Sequence, residues 1–216
     1  MKSYGILFVA LLTAFSCAAQ KSSFEDLFKE AFECKFCPDS VQIALYTKAI
    51  NNGVNDTADL ENFRNAVGNR AKLYDKTGQY KKAIEDFELA LAVGPDDYQL
   101  YSSLATAYLQ DGQYRKAIEN YDAYIRIAEK KMKEALTAFE VESSANTSHD
   151  MFSETAERIR TEFNAKLAVA YNNRGIAKGN LRRHEAACAD FRKAYEAGMN
   201  ELKSFIDSEC PDAEED

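Results

Sequence analysis

The chain has 216 residues, with 27 Lys+Arg against 35 Asp+Glu and a formal charge of −8. At 46% hydrophobic and 29% charged residues it can bury a core, which argues against wholesale disorder. An acidic balance without basic clusters excludes the usual nucleic-acid binder, and three Pro and nine Gly suit long helices better than a turn-rich sandwich or barrel.

In chain order, residues 1–19 read as a signal peptide. Lys2 is the only charge before Lys21, and Tyr4 to Phe15 carries none. At ~1.5 Å per residue that run spans roughly 18 Å, short of a ~30 Å hydrocarbon core, so it reads as an export address rather than a membrane span. Two cleavage modes stay open. Cys17-Ala18-Ala19 before Gln20 is a small-residue site, while Thr13 to Cys17 resembles a permissive bacterial lipobox that would make Cys17 a lipidated first residue, with Ala14 where Leu is usual. Removing the leader also removes Lys2 and leaves the mature chain more acidic by one charge. The expected location is therefore periplasm or outer membrane, or secreted.

Export changes how the other cysteines read. Cys34, Cys37, Cys188 and Cys210 form an even set in an oxidising compartment. Cys34-Lys35-Phe36-Cys37 has redox CxxC spacing but no strand-like surroundings, and a zinc site would need a tighter second pair or nearby histidines. The favoured reading is two structural disulfides, Cys34–Cys37 and Cys188–Cys210. An envelope thiol oxidoreductase using Cys34 and Cys37 is the alternative of another class.

The chain repeats itself at a fixed period. Gly78 to Phe87 reads GQYKKAIEDF, and Gly112 to Tyr121 reads GQYRKAIENY, 34 residues later. Around these blocks Ala71, Tyr74, Ala83, Phe87, Ala90 and Pro95 recur as Ala105, Tyr108, Ala117 and Tyr121, and again as Gly175, Ala187, Phe191 and Ala194; Asn173-Arg174-Gly175 echoes Asn69-Arg70-Ala71. Upstream, Ile43, Tyr46, Ala49 and Ile50 copy the spacing of Ile84, Phe87, Ala90 and Leu91. The period and its small and aromatic positions resemble the tetratricopeptide repeat, a helix–turn–helix unit. The resemblance implies an all-α solenoid of about four helical pairs. It covers units at 64–97, 98–131 and 168–201, with a degenerate first repeat and linker at 22–63.

No proline ends the second helix of the 98–131 unit, and Tyr124 replaces its third small residue. Ile118, Tyr121, Ile125, Ala128, Met132, Ala135 and Phe139 run on by threes and fours. The polar stretch from Glu142 to His149 then reverses the chain, and Phe152, Ala156, Ile159, Phe163 and Leu167 return with the same spacing. This predicts a long antiparallel helical hairpin inserted at 132–167, serving as a spacer, a second contact surface or a homodimer seam. Charges such as Glu129/Lys133 read as a solvated face. Leu202, Phe205 and Ile206 predict a capping helix at 202–210 over the last repeat, and 211–216 is an acidic tail.

Catalytic signals are weak. Only His149 and His184 are present, neither in a recognisable constellation, and no phosphate loop, HExxH or GxSxG occurs. The expectation is a non-catalytic scaffold without cofactor or metal, binding a protein or peptide partner. The resemblance places the binding groove along the first helices of the units. Carried over, the lining is Asn65, Gly68, Asn69, Lys72, Asp75 and Lys76, then Gln99, Ser102, Ser103, Thr106, Leu109 and Gln110, then Val169, Asn172, Asn173, Ile176, Gly179 and Asn180. Some family members clamp a terminal carboxylate with a Lys/Asn/Arg set. Gly68, Lys72 and Val169 depart from that set, so the clamp is not expected here. The runner-up function is a lipid-anchored component of an outer-membrane assembly or secretion complex.

Overall fold

The computed structural model describes residues 23–34, 36–53, 59–143 and 149–210. The expected signal segment with Cys17, the acidic tail and most of the expected hairpin tip lie outside the described residues.

The first pair is α1, Phe24–Glu33, and α2, Asp39–Asn52. Ser23 starts α1 with a capping box: its hydroxyl accepts from the Asp26 amide at 3.1 Å, and the Asp26 carboxylate accepts from the Ser23 amide at 3.1 Å. Phe24, Leu27 and Ala31, on one side of α1, bury themselves against Tyr46 and Ala49 of α2 and Ala66 beyond. The degenerate repeat is thus a helical pair with an aromatic core in place of the small-residue pattern.

The next pair is α3, Leu60–Lys76, and α4, Tyr80–Val93, and the third pairs α5, Tyr98–Gln110, with α6, Tyr114–Ser143. Helix α3 begins one turn before Arg64. Gly78 and Gly112 take φ of 75° and 76° at the reversals, a left-handed conformation that costs glycine little and other residues more. Helix α7, His149–Asn180, leads through another tight turn to α8, His184–Glu196. At Gly175 the reason for glycine is contact, since an added Cβ would lie 2.8 Å from the Phe191 ring. Small residues elsewhere do the same at lower stringency: Ala71, Ala83, Ala90, Ala105, Ala117 and Ala194 are all fully buried.

Tyr124 is buried and stacks on Tyr98 with ring centroids 5.7 Å apart, so the large residue in a small position is accommodated by the start of its own unit. Helix α6 runs 30 residues in all and α7 runs 32, roughly 45 Å each, packed against one another. Ile125, Ala128, Ala156 and Leu167 are buried in this seam, with Met132, Phe139, Ile159 and Phe163 half-buried. Among the hairpin residues whose side chains are described, 132–140 and 154–167, no large hydrophobic residue is exposed. The described part of the expected apolar stripe therefore packs inside the hairpin. Glu129 is also not a free surface partner for Lys133, because its carboxylate accepts the Tyr171 hydroxyl from α7.

A short turn at Asn200–Leu202 and helix α9, Lys203–Glu209, close the last repeat. Phe205 meets Phe191 edge-on at 5.1 Å, Cys188 is bonded to Cys210, and Arg192 Nη2 donates to the Cys210 carbonyl at 2.6 Å. Cys34 is bonded to Cys37 in the turn between α1 and α2, where Phe36 is fully exposed. No described helix is long and apolar enough to cross a membrane.

Candidate functional site

Helices α3, α5 and α7 touch in succession, which sets the expected groove residues on one continuous face. Their individual situations differ. Val169 and Ile176 project from α7 with 49% and 40% exposure, and Lys72, Gln99, Gln110 and Asn180 are also exposed. Asn65, Ser102 and Asn172 are half-buried, and Gly68 is buried beside Leu100. Lys76 is not available as a free cation, because its Nζ lies 2.9 Å from Asp39 of α2. Lys72, Gln99 and Ser103 share a recess of about 430 Å³ with Asp96, Asp97, Tyr98 and Lys131. Lys131 sits over the Tyr98 ring at 5.4 Å.

Other groove residues hold neighbouring repeats together. Asn69 Nδ2 donates to the Tyr46 hydroxyl at 3.3 Å, and Asn173 bonds the Tyr121 hydroxyl, which also meets Thr106 Oγ1 at 2.9 Å. Tyr46 and Tyr121 occupy equivalent places in the second helix of the preceding unit. Burial raises the pKa of the Tyr121 hydroxyl, with Thr106 and Asn173 acting against that shift.

The arginine after each asparagine completes the tie. Arg70 grips Asp86 through two bonds of 2.7 and 2.8 Å and reaches back to Thr47 of α2 at 3.1 Å. Arg174 grips Asp190 at 2.8 and 2.6 Å and reaches back to Asp122 of α6 at 2.6 Å, and Lys178 adds a third cationic contact to Asp190 at 2.7 Å. Asp86 and Asp190 are buried polar residues in otherwise apolar helix faces. Burial works against the Arg174 charge, but Asp190 and Asp122 more than offset it, so its proton is held more tightly than usual. At Arg70 the Asp86 hydrogen bond is the leading cause of the same upward shift.

These ties were missed from sequence, although half the signal was legible. The Asn-Arg echo at 69–70 and 173–174 is followed in both cases by Asp sixteen residues later. The junction between the 64–97 and 98–131 units lacks the whole set: Ser103 and Leu104 replace Asn and Arg, Phe87 replaces Tyr, and Asn120 replaces Asp. Tyr108 instead donates its hydroxyl to Glu88 there, and burial with that contact raises the tyrosine pKa.

Asp75, at the end of α3, has a different character. Its Oδ1 is enclosed and receives no hydrogen bond, and burial pushes the carboxyl pKa up. Among the described residues, no group of three or more His, Cys, Asp or Glu side chains is arranged to hold a metal ion.

An all-α solenoid with a continuous first-helix face and polar ties between repeats defines an interaction scaffold. Residues 65–97 match one tetratricopeptide-repeat family model, and residues 98–131 and 168–197 match a second. The chain thus carries tetratricopeptide repeats over residues 65–131 and 168–197. Solved structures similar to it include a tetratricopeptide repeat protein from Parabacteroides merdae, at 19% identity and a TM-score of 0.41, covering 85% of this chain and 81% of that one. MamA shows 16% identity and a TM-score of 0.39, with 84% and 98% covered. BtubC from P. vanneervenii shows 17% identity and a TM-score of 0.39, with 90% and 92% covered. No curated protein matches the chain.

Proposed function

We propose that this chain is an exported, non-catalytic scaffold of the cell envelope that holds an extended peptide or a helix of a partner protein across α3, α5 and α7. The observation that carries the groove reading is the apolar pair Val169 and Ile176, exposed two turns apart on α7 among the amides of Asn172 and Asn180. Apolar side chains give a partner something to bury, and amides give its main chain something to pair with. Asn69 and Asn173 are unsuitable for testing it, because they already bond Tyr46 and Tyr121 and their removal loosens repeat packing.

The clean variant is Val169→Asp with Ile176→Asp. It should capture the partner from envelope extract at least tenfold less well than the parent while keeping the same helical circular dichroism and melting temperature. Equal capture by both proteins overturns the groove and points to the hairpin. The export reading is supported by the leader-like composition of residues 1–19 and by four further cysteines that pair off within reach of one another, with Cα atoms 5.4 Å apart in both pairs. Mass spectrometry of the mature N-terminus tests it. A lipidated Cys17 supports the membrane-anchored form, a free Gln20 the soluble form, and an intact Met1 in the purified native protein overturns export.

A further inference from the structure

Helix α7 has 32 residues and α8 only 13, so α8 covers one side of α7 for part of its length and stops. Thr161, Asn164 and Ala168 continue, by threes and fours, the side of α7 on which Gly175 meets Phe191 of α8. Beyond the end of α8 this side is open, and the elbow forms a recess of about 480 Å³. Ala165 and Ala168 of α7 give it an apolar floor, together with Ala197 and Met199 after α8. Alanines at such places elsewhere in the fold are where a second helix packs closely.

The charges around the recess are of one sign. Glu157 of α7, Glu196 of α8 and Glu201 of the following turn line it, and no described Lys, Arg or His does. The cations that helical spacing would hand to Glu196 are turned elsewhere. Arg192 donates to the Cys210 carbonyl at 2.6 Å, and Lys193 lies over the Tyr171 ring at 5.2 Å. Glutamates such as Glu61, Glu134 and Glu162 do meet a cation at that spacing, and Glu157 keeps Arg160 at 3.8 Å. Glu196 and Glu201 make no ion pair among the described residues. The last turn of α8 adds the negative pole of its dipole at the same place.

We infer that this elbow docks a basic amphipathic helix of a partner protein, laid along α7 in line with α8. An exposed ion pair alone binds weakly, so the floor matters. A Lys or Arg can lay its aliphatic stem on Ala165, Ala168 and Met199 while its charged end stays with the three carboxylates. The chain's charge of −8 favours the approach of such a segment. The inference stands apart from the groove reading, since neither Val169 nor Ile176 lines the recess.

The test titrates helical peptides of about fifteen residues, roughly 22 Å long, into the purified protein. Each is N-acetylated and C-amidated, with Ala and Leu along one side and Lys, Arg, Gln or Glu along the other. Two variants alter the elbow: Glu196→Gln/Glu201→Gln removes its charge, and Ala165→Trp fills it from an exposed position. Two are controls: Glu30→Gln/Glu85→Gln makes the same charge change at exposed sites elsewhere, and Val169→Ser/Ile176→Ser alters the groove. The Lys and Arg peptides should bind the parent about tenfold or more tighter than the Gln peptide, with the Glu peptide weakest. That binding should fall about tenfold in both elbow variants and stay within about twofold in both controls, with parental helical circular dichroism throughout. Equal loss in Glu30→Gln/Glu85→Gln shows a response to net charge alone and overturns the inference, as does parental binding by Ala165→Trp. Loss confined to Val169→Ser/Ile176→Ser moves the peptide to the groove and overturns it too. If sedimentation shows the parent to self-associate and the elbow variants not to, the occupant is a second copy, and the assignment to a partner falls.

Discussion

Arg174 is the residue on which most polar structure converges, since its guanidinium meets Asp190 of its own repeat and Asp122 of the one before. Arg174→Ala leaves Asp190 buried with Lys178 alone. Breaking a buried pair by removing one partner costs about 3–5 kcal/mol. A chain of this size loses roughly 2–4 °C per kcal/mol, so thermal unfolding should begin ~6–20 °C lower. Asp75 acts in the opposite sense. Its folded pKa is raised above the usual carboxylate value by burial, so the folded state holds the proton more tightly than the unfolded one. Its contribution is fully present below the unfolded value and is lost as pH rises through the folded value. Asp75→Asn should therefore melt above the parent at pH 7, and the gain should shrink to nothing as the pH is lowered past the ordinary carboxylate range. Melting curves of both proteins across pH give the answer, and a gain that grows on acidification would show the sign to be wrong.

At the scale of helices, α9 depends on what holds it. Its seven residues are too few to be helical alone, so its order comes from Phe205 on Phe191 and from the Cys188–Cys210 bond. A bond closing a loop of about twenty residues is worth roughly 3 kcal/mol. In the double variant Cys188→Ser/Cys210→Ser, amide exchange in α9 and the preceding turn should accelerate by about two orders of magnitude while α3 to α6 keep their protection. Exchange mass spectrometry distinguishes this from global loosening. Elements were more legible in sequence than their polar contacts, and the reason is periodicity. Ile118 to Phe139 shows a face repeated by threes and fours, which is enough to place a long helix. Glu129, by contrast, sits at a spacing from Lys133 that suits a surface pair, and its engagement by Tyr171, 42 residues on, depends on how α6 and α7 are rotated against one another. The degenerate first repeat was legible through α2 rather than α1, because Phe24 and Leu27 fill with large side chains the space that alanines leave elsewhere.

Across the whole molecule, the ties are unevenly placed, and that should govern how the solenoid opens. Repeat proteins are held by intrinsic unit stability plus nearest-neighbour interfaces. Tyr46, Asn69, Thr47 and Arg70 bind the first pair to α3, and Tyr121, Asn173, Asp122 and Arg174 bind the hairpin unit to the last repeat. The 64–97/98–131 junction has Phe87, Ser103 and Leu104 in those places and relies on apolar packing through Leu100, Leu104 and Tyr108, with Tyr108 reaching Glu88. Removing a tie should therefore act on its own side of that junction. Arg70→Ala is expected to raise amide exchange in α1 and α2 at least tenfold and leave α7 to α9 at parental rates, and Arg174→Ala is expected to do the reverse. Sites this far apart with no shared partner should also add, so the double variant should lose the sum of the single losses to within about 0.5 kcal/mol in urea unfolding. If Arg70→Ala instead raises exchange equally in α8, the chain opens as one cooperative body and the ties set total stability rather than the order of opening.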